Sequence, residues 1–324
     1  MNPTTIAAQV VGVRALTPRV REYLLAAEPG QVLPRYDPGA HIAVHLASPE
    51  LGAFVRHYSL VGSAAQDAGR YRIAVQREDR AQGSDFIHRT FTEGTRLQIS
   101  APRNNFLLGR NDARSLLIAG GIGITPIHAM LTSLVRLNKD FAFVYSGRTA
   151  DQLAYRAEAM QLAGARGRLH LSGADGANLL DLRALLAAQS PETTVYVCGP
   201  TGMVEATHAA ASALGWQPGR VRSEFFGVAS SQHDVAFDVH LAQSGRSIRV
   251  GRNSSILEAL TAAGVELLHD CRRGECGLCP LTVLAADGPI EHRDRYLSAE
   301  ERAAGNTLCV CVSRIQGQSL TLDA

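Results

Sequence analysis

Residues 115–130 read SLLIAGGIGITPIHAM: an apolar strand, a turn carrying Gly120, Gly121 and Gly123, and the opening of a helix. Thr125 is placed to cap that helix, and Pro126 suits its first position. Glycines at such a turn let a pyrophosphate approach the backbone at a helix N-terminus. The turn is not the dinucleotide fingerprint G-x-G-x-x-G, because Pro126 stands where the third glycine would be. Taken alone it is equally a tight strand–helix junction with no ligand. The pattern repeats outward. FAFVYSG (141–147), RLHLSG (168–173) and TVYVCG (194–199) are further apolar strands. Helical stretches lie between them: PIHAMLTSLVRL (126–137), ADQLAYRAEAMQLA (150–163), DLRALLAAQ (181–189) and GMVEATHAAASALG (202–215). Strand–helix alternation with nearly continuous apolar strands predicts a parallel sheet covered on both faces. A second glycine turn, Cys198-Gly199-Pro200, closes the last of these strands at the carboxyl edge, where ligands of α/β folds bind. Cys198 alone would read as a small buried residue; two glycine turns at one sheet edge favour a nucleotide crevice.

The flanks have other periods. Upstream, VVGVRALTP, REYLLAAE, HIAVHLAS, RHYSLVGS, YRIAVQRE and RLQISAP are six short β-rich runs with one helix, SDFIHRTF, among them. They predict a small antiparallel β-barrel over residues 1–110, ahead of the α/β domain at 111–228. Downstream of a linker at 228–233, residues 234–324 open with a hairpin turning at Ser244-Gly245 and a helix, SSILEALTAAG. This third unit carries nine Lys and Arg against twelve Asp and Glu, whereas the remainder carries 23 against 18. Across 324 residues a net charge of +2 argues against a nucleic-acid partner. The N-terminus has Arg14, Arg19 and Arg21 in place of an apolar signal core, and no run approaches the roughly 18 apolar residues of a membrane helix. A soluble cytoplasmic protein without a membrane partner is expected.

Five of the six cysteines fall between 271 and 311, a late cluster that suggests metal rather than a disulfide scaffold. CRRGECGLC (271–279) spaces Cys271, Cys276 and Cys279 as C-x4-C-x2-C, with Gly274 and Gly277 between. Structural zinc prefers paired C-x2-C turns, although a zinc site stays open on this reading. The spacing is that of plant-type [2Fe–2S] proteins. The fourth ligand is Cys309 or Cys311 of LCVCVSRIQG, after 29 or 31 intervening residues. The segment between, AADGPIEHRDRYLSAEERAAGNT, reads as a surface excursion of freely variable length, and residues 309 and 311 as neighbours on one side of an extended strand.

In the barrel, Arg56, Tyr58 and Leu60 of RHYSL share one face of a strand. The bland reading is an edge strand with one cation and one half-buried ring. The functional one is a guanidinium for a phosphate and an aromatic hydroxyl against a flat ring. RxYSL, GGIGITP, CGPxxM and a C-terminal plant-type cysteine loop, in this order, resemble the phthalate dioxygenase reductase family, which includes vanillate O-demethylase reductase components. The resemblance spans essentially the whole chain; the first two motifs occur in all ferredoxin–NADP reductase-like proteins, and only the combination is specific.

The resemblance implies FMN on the barrel, NADH on the α/β domain and [2Fe–2S] on a β-grasp ferredoxin domain. FMN contacts carry over onto Arg56, Tyr58 and Ser59, onto Val75, Gln76 and Arg77, and onto Gly83, Ser84, Thr125 and Phe226. NADH contacts carry over onto Gly121, Gly123 and Arg148, and onto Cys198, Gly199, Pro200 and Met203. The family frame C-V-S-R followed by L-x-L-D selects Cys311 beside Cys271, Cys276 and Cys279. FMN rather than FAD follows from relatives with a C-terminal ferredoxin. Arg148 near the second strand end is the one feature that would suit NADPH. The implied partner is a separate oxygenase of the Rieske non-heme iron type acting on an aromatic ring, and the chain is expected to be a monomer. The chemistry asks for the same assembly: NADH yields two electrons together and the cluster takes one, so a flavin must stand between them. No acid–base side chain is needed, and His57, His88, His128 and His292 read as surface or packing residues. Two alternatives remain: a reductase for a cytochrome or other small redox acceptor, and a flavin or iron–sulfur redox sensor.

Overall fold

The computed structural model describes residues 5–48, 52–63, 69–78, 82–217, 219–226, 234–252, 254–269, 272 and 274–324. The chain forms two compact units, residues 1–226 and 227–324.

The first unit begins with an antiparallel barrel of β1 (Thr5–Thr17), β2 (Val20–Ala27), β3 (His41–Ser48), β4 (Gly52–Ser59), β5 (Tyr71–Gln76) and β6 (Arg96–Ser100), with helix α1 (Gln82–Thr90) before β6. The strands are ordered β4-β3-β6-β1-β2-β5, and the end strands β4 and β5 approach one another. Alternation drives the closure: Ile6, Ala8 and Val10 of β1 point inward and meet Tyr23, Ile42, Ile73 and Ile99. Ile87 of α1 and Phe91 after it plug the same core.

The parallel sheet contains β7 (Arg114–Gly120), β8 (Phe141–Gly147), β9 (Gly167–Leu171), β10 (Thr193–Gly199) and β11 (Val221–Phe225), in the order β11-β10-β7-β8-β9. Its helices are α2 (Ile124–Arg136), α3 (Arg156–Ala163), α4 (Leu182–Ala187) and α5 (Thr201–Ala213). Two elements differ from the sequence pattern. β11 is a fifth strand that strand–helix alternation did not mark, held by parallel pairing of Val195–Gly199 with Val221–Phe225. The helical stretch 150–163 is broken, with a 3-10 turn at Ala150–Gln152 and α3 only from Arg156. Burial causes the break. Leu153, Ala154 and Tyr155 are pulled into the core, the Tyr145 hydroxyl donates to the Ala154 carbonyl at 2.8 Å, and Tyr155 takes a left-handed φ of 55°.

Barrel and parallel sheet share a core, in which Val20, Val61 and Phe106 pack with Leu117, Ile127 and Tyr196. A charged chain crosses the same boundary. Glu158 on α3 lies 3.1 Å from Arg72 of β5 and 3.2 Å from His128 Nε2 of α2. The nearby His128 ring, with Arg72 beside it, lowers the Glu158 pKa to about 2. A carboxyl whose folded pKa lies below its unfolded value contributes stability above the unfolded value, and that contribution is lost as pH falls through the folded one. Wild type is therefore expected to melt above Glu158→Gln at pH 6, with the gap closing between pH 4.5 and about 2. Because the carboxylate side chain is 38% exposed, the difference should be about 1 kcal/mol at most. A gap independent of pH would show that the charge is not its source.

The second unit contains β12 (Phe237–Leu241), β13 (Arg246–Val250), α6 (Ile256–Ala262), β14 (Pro280–Ala286), β15 (Ile290–Glu291), α7 (Ala299–Ala304), β16 (Thr307–Cys309), β17 (Arg314–Ile315) and β18 (Ser319–Leu322). Its main sheet, β13-β12-β18-β14-β16, sets the hairpin β12–β13 beside β18 in parallel, with α6 against it, a β-grasp arrangement. Ser255 and Glu258 form a capping box that starts α6, and Phe237, Val239, Leu257, Leu260 and Leu320 fill the core. Residues 285–307 are not the free excursion that their composition suggests. They carry β15 and α7, and they bury Asp294 and Leu297.

Candidate functional site

Three clusters of chemistry-bearing residues emerge. In the barrel, β4 carries Arg56, Tyr58 and Ser59, and β5 carries Val75 and Gln76, with Arg77 following. Gly83 and Ser84 lie in the first turn of α1. Arg56 covers Gly83 so closely that a Cβ there would stand 2.8 Å from Arg56 Nε and displace the guanidinium. The guanidinium also sits 5.0 Å above the Phe54 ring, and the Ser84 hydroxyl accepts from the Glu78 N–H at 3.1 Å. A cation, a glycine and a hydroxyl thus converge at the N-terminus of a nine-residue helix, a donor set that fits a phosphate. Burial pushes the Tyr58 phenol well above its ordinary range, partly countered by Arg56, so it remains a neutral hydroxyl. Val75 is buried, its carbonyl 2.9 Å from His88 Nε2, and burial lowers the pKa of that histidine. His88 packs, as its sequence context suggested.

Ser59 is buried and its hydroxyl donates to Glu224 Oε2 at 3.3 Å. Glu224, on β11 and 1% exposed, is a residue that sequence reading missed. It lies 165 positions from its partner, and no local motif signals it. Phe226 follows that strand, partly buried against the shared core. Thr125 does not cap α2. It is the second residue inside the helix, and its hydroxyl donates back to the Ile122 carbonyl at 3.0 Å, while Gly123 occupies the cap position.

At the carboxyl edge of the parallel sheet the two glycine turns touch. A Cβ on Gly123 would collide with the Cys198 carbonyl, and a Cβ on Gly199 would lie 2.9 Å from Gly120 Cα. Pro200 and Met203 close over Gly120 at 2.7 and 2.8 Å from its Cβ position. Gly121 has φ 52° and open space around it, and its carbonyl lies 3.1 Å from the Tyr145 hydroxyl. Cys198 is buried beneath, as a small packing residue would be. Arg148 follows β8, adjacent to β7 in the sheet, and its carbonyl accepts from Gly173 N–H at 3.1 Å. A glycine-lined strand–helix turn with open space at Gly121 fits a dinucleotide's phosphates.

In the second unit Cys279 Sγ lies 2.9 Å from Cys311 Sγ. Hydrogen bonding with Cys309, and then with Cys311, holds the Cys279 thiol well below its ordinary pKa. Cys276 is partly buried in the same loop, and Cys271 lies outside the described residues. The segment after Cys309 is not extended. Val312 and Ser313 N–H groups fold back onto the Cys309 carbonyl at 3.1 and 2.9 Å, making a turn around Cys311. Gly274 and Gly277 have φ 73° and 70°, and a Cβ on Gly277 would collide with the Tyr296 ring. A thiol-rich, glycine-hinged loop beside a second buried cysteine segment fits an iron–sulfur cluster.

Residues 117–209 match the oxidoreductase NAD-binding domain model, and residues 239–316 match the 2Fe-2S iron-sulfur cluster binding domain model. The chain is 40% identical over 321 residues to a heme-dependent oxidative N-demethylase beta subunit of Ectopseudomonas mendocina, covering 99% of each. It is 36% identical to a carnitine monooxygenase reductase subunit of Escherichia coli, covering 97% of each. Among solved structures it resembles phthalate dioxygenase reductase, described as a modular structure for electron transfer from pyridine nucleotides to [2Fe-2S]. The TM-score is 0.83 at 30% identity, over 99% of this chain and 98% of that one. On similarity of this order over nearly the full length, the chain belongs to the phthalate dioxygenase reductase family of oxygenase reductases.

Proposed function

We propose that this chain is the reductase component of an oxygenase system, drawing electrons from NADH and delivering them through a flavin and a [2Fe–2S] cluster to a separate oxygenase. The observation that carries the reading is the presence, in one chain, of a phosphate-fitting barrel site, a double glycine turn and a paired-cysteine loop. Residues 1–110 hold the flavin, 111–228 the nucleotide and 234–324 the cluster. The flavin, when bound, links a two-electron donor to a one-electron acceptor. The protein's own work is placement. Arg56, Gly83 and Ser84 hold the terminal phosphate, and Tyr58, Ser59, Val75, Gln76 and Arg77 line the ring. Thr125 and Phe226 border it from the α/β side. Glu224 orients the Ser59 hydroxyl. Gly121, Gly123, Cys198, Gly199, Pro200 and Met203 let the nucleotide backbone approach, with Arg148 at its far end. Cys271, Cys276, Cys279 and Cys311 hold iron. The acceptor is a Rieske-type oxygenase of aromatic substrates, and the chain works as a cytoplasmic monomer.

Purified protein is expected to reduce cytochrome c within seconds when given NADH, with kcat/KM higher for NADH than for NADPH. No reduction would remove the electron-transfer reading and favour a redox sensor. A higher value for NADPH would overturn the nucleotide assignment. Chromatography of heat-released flavin should give FMN, and Arg56→Ala should weaken FMN retention by about 10-fold or more, the scale of a charge-assisted phosphate contact of about 1.5–3 kcal/mol. FAD in the released fraction would sink the terminal-phosphate role of Arg56.

A further inference from the structure

We infer that Asp294 is the positioning residue that holds the two cysteine-bearing segments of the second unit against each other, an inference that rests on the iron–sulfur reading above. Asp294 is 3% exposed, and the segment carrying it has no assigned role. One side of this residue meets the cysteine loop. A Cβ on Gly274 would lie 2.7 Å from Asp294 Cα, and the neighbouring Arg295 N–H donates to the Gly274 carbonyl at 2.8 Å. The other side meets the Cys311 segment. Asp294 Oδ1 accepts from the Ser313 hydroxyl at 3.2 Å, and Ser313 N–H in turn donates to the Cys309 carbonyl, closing the turn around Cys311. The same hydroxyl accepts from Arg293 N–H at 3.3 Å.

A buried carboxylate is costly unless its acceptor positions are filled. Here Oδ2 accepts from Leu297 N–H at 2.9 Å, and Arg302 Nη2 stands 3.8 Å from Oδ2 while donating to the Asp294 carbonyl at 2.7 Å. His292 Nδ1 stands 3.6 Å from Oδ1. The carboxylate is therefore fixed from its own segment and accepts one bond from across, from Ser313. Because Cys276 and Cys279 follow Gly274 while Cys311 precedes Ser313, a shift at Asp294 moves the two halves of the ligand set relative to one another. A residue acting only on the fold of loop 285–307 would not alter the cluster environment.

The test uses full-length holoprotein and four variants: Asp294→Ala, Asp294→Asn, Ser313→Ala and the Asp294→Ala/Ser313→Ala double. Two readouts are taken: the rate at which an iron chelator bleaches the visible absorbance, and the EPR line shape of the reduced protein. Asp294→Ala should accelerate bleaching by about 10–100-fold, the range for outer ligand supports, and broaden the EPR line. Ser313→Ala should shift both in the same direction, and Asp294→Asn, which keeps one acceptor oxygen, should recover part of the loss. The double variant should lose less than the sum of the two single variants, because the two groups share one contact. A wild-type bleaching rate and line shape in Asp294→Ala, even with a lowered Tm, would overturn the inference, as would additive effects in the double variant. If Asp294→Ala does not fold, Ser313→Ala, which removes one oxygen, decides alone: wild-type values overturn the inference. Wild-type protein with no cluster signal would instead overturn the iron–sulfur reading, and the inference with it.

Discussion

Cys311→Ala is expected to abolish the visible absorbance of the iron–sulfur centre and to reduce NADH-driven cytochrome c reduction by at least about 100-fold, beyond the range of an outer ligand support. Flavin content and NADH oxidation by a direct flavin acceptor should survive, because the barrel and parallel sheet belong to the other compact unit. Cys309→Ala should keep the absorbance and cost about 1–2 kcal/mol for the small void that it leaves in the core. Both thiols approach Cys279, so proximity does not separate them. The backbone does. Cys309 ends β16 in register with Pro280, and its carbonyl is engaged by Val312 and Ser313, so it belongs to the sheet. Cys311 sits in the turn that follows, on a segment not committed to a ladder, where a ligand can adjust to a cluster. Loss of absorbance in Cys309→Ala with retention in Cys311→Ala would reverse the assignment and make the 29-residue interval from Cys279 the governing feature.

The second large effect is expected at the contact between the glycine turns. A Cβ at Gly123 would collide with the Cys198 carbonyl and stand 2.7 Å from Gly199 N, both backbone groups on a central strand. Nothing flexible is available to yield, so Gly123→Ala must push α2 away from β10. Overpacking of this kind costs about 1–3 kcal/mol, and the same displacement should raise the KM for NADH by about tenfold or more. Gly202→Ala is the control, since a Cβ there meets nothing within 4 Å, and it should be neutral or slightly stabilising in helix α5. Steady-state kinetics and thermal melts of the two variants check the contrast. Equal behaviour would mean that the turn contact contributes neither to stability nor to nucleotide binding.

Much of the architecture is written locally. The period of two in β1, the apolar runs of β7, β8 and β10, and the turn at Gly245 depend on neighbours within a few residues, and sequence order alone reveals them. The same holds for the candidate site motifs: spacing shows where Cys276 and Cys279 fall, and glycines mark the turns at 120–123 and 199. What local order does not contain is which distant groups meet. The stretch 150–163 has helical composition, yet burial of Leu153 and Tyr155 outweighs propensity and breaks it. Thr125 has a capping side chain but lies inside its helix, because Gly123 is held at the cap by contact with β10. Glu224 meets Ser59, and Asp294 meets both Gly274 and Ser313, across separations that leave no periodic trace. Propensity and spacing act over one turn or one strand and are therefore legible in sequence. Burial, charge pairing and the packing of one glycine turn on another exist only after the chain has closed on itself, so the tertiary structure decides them.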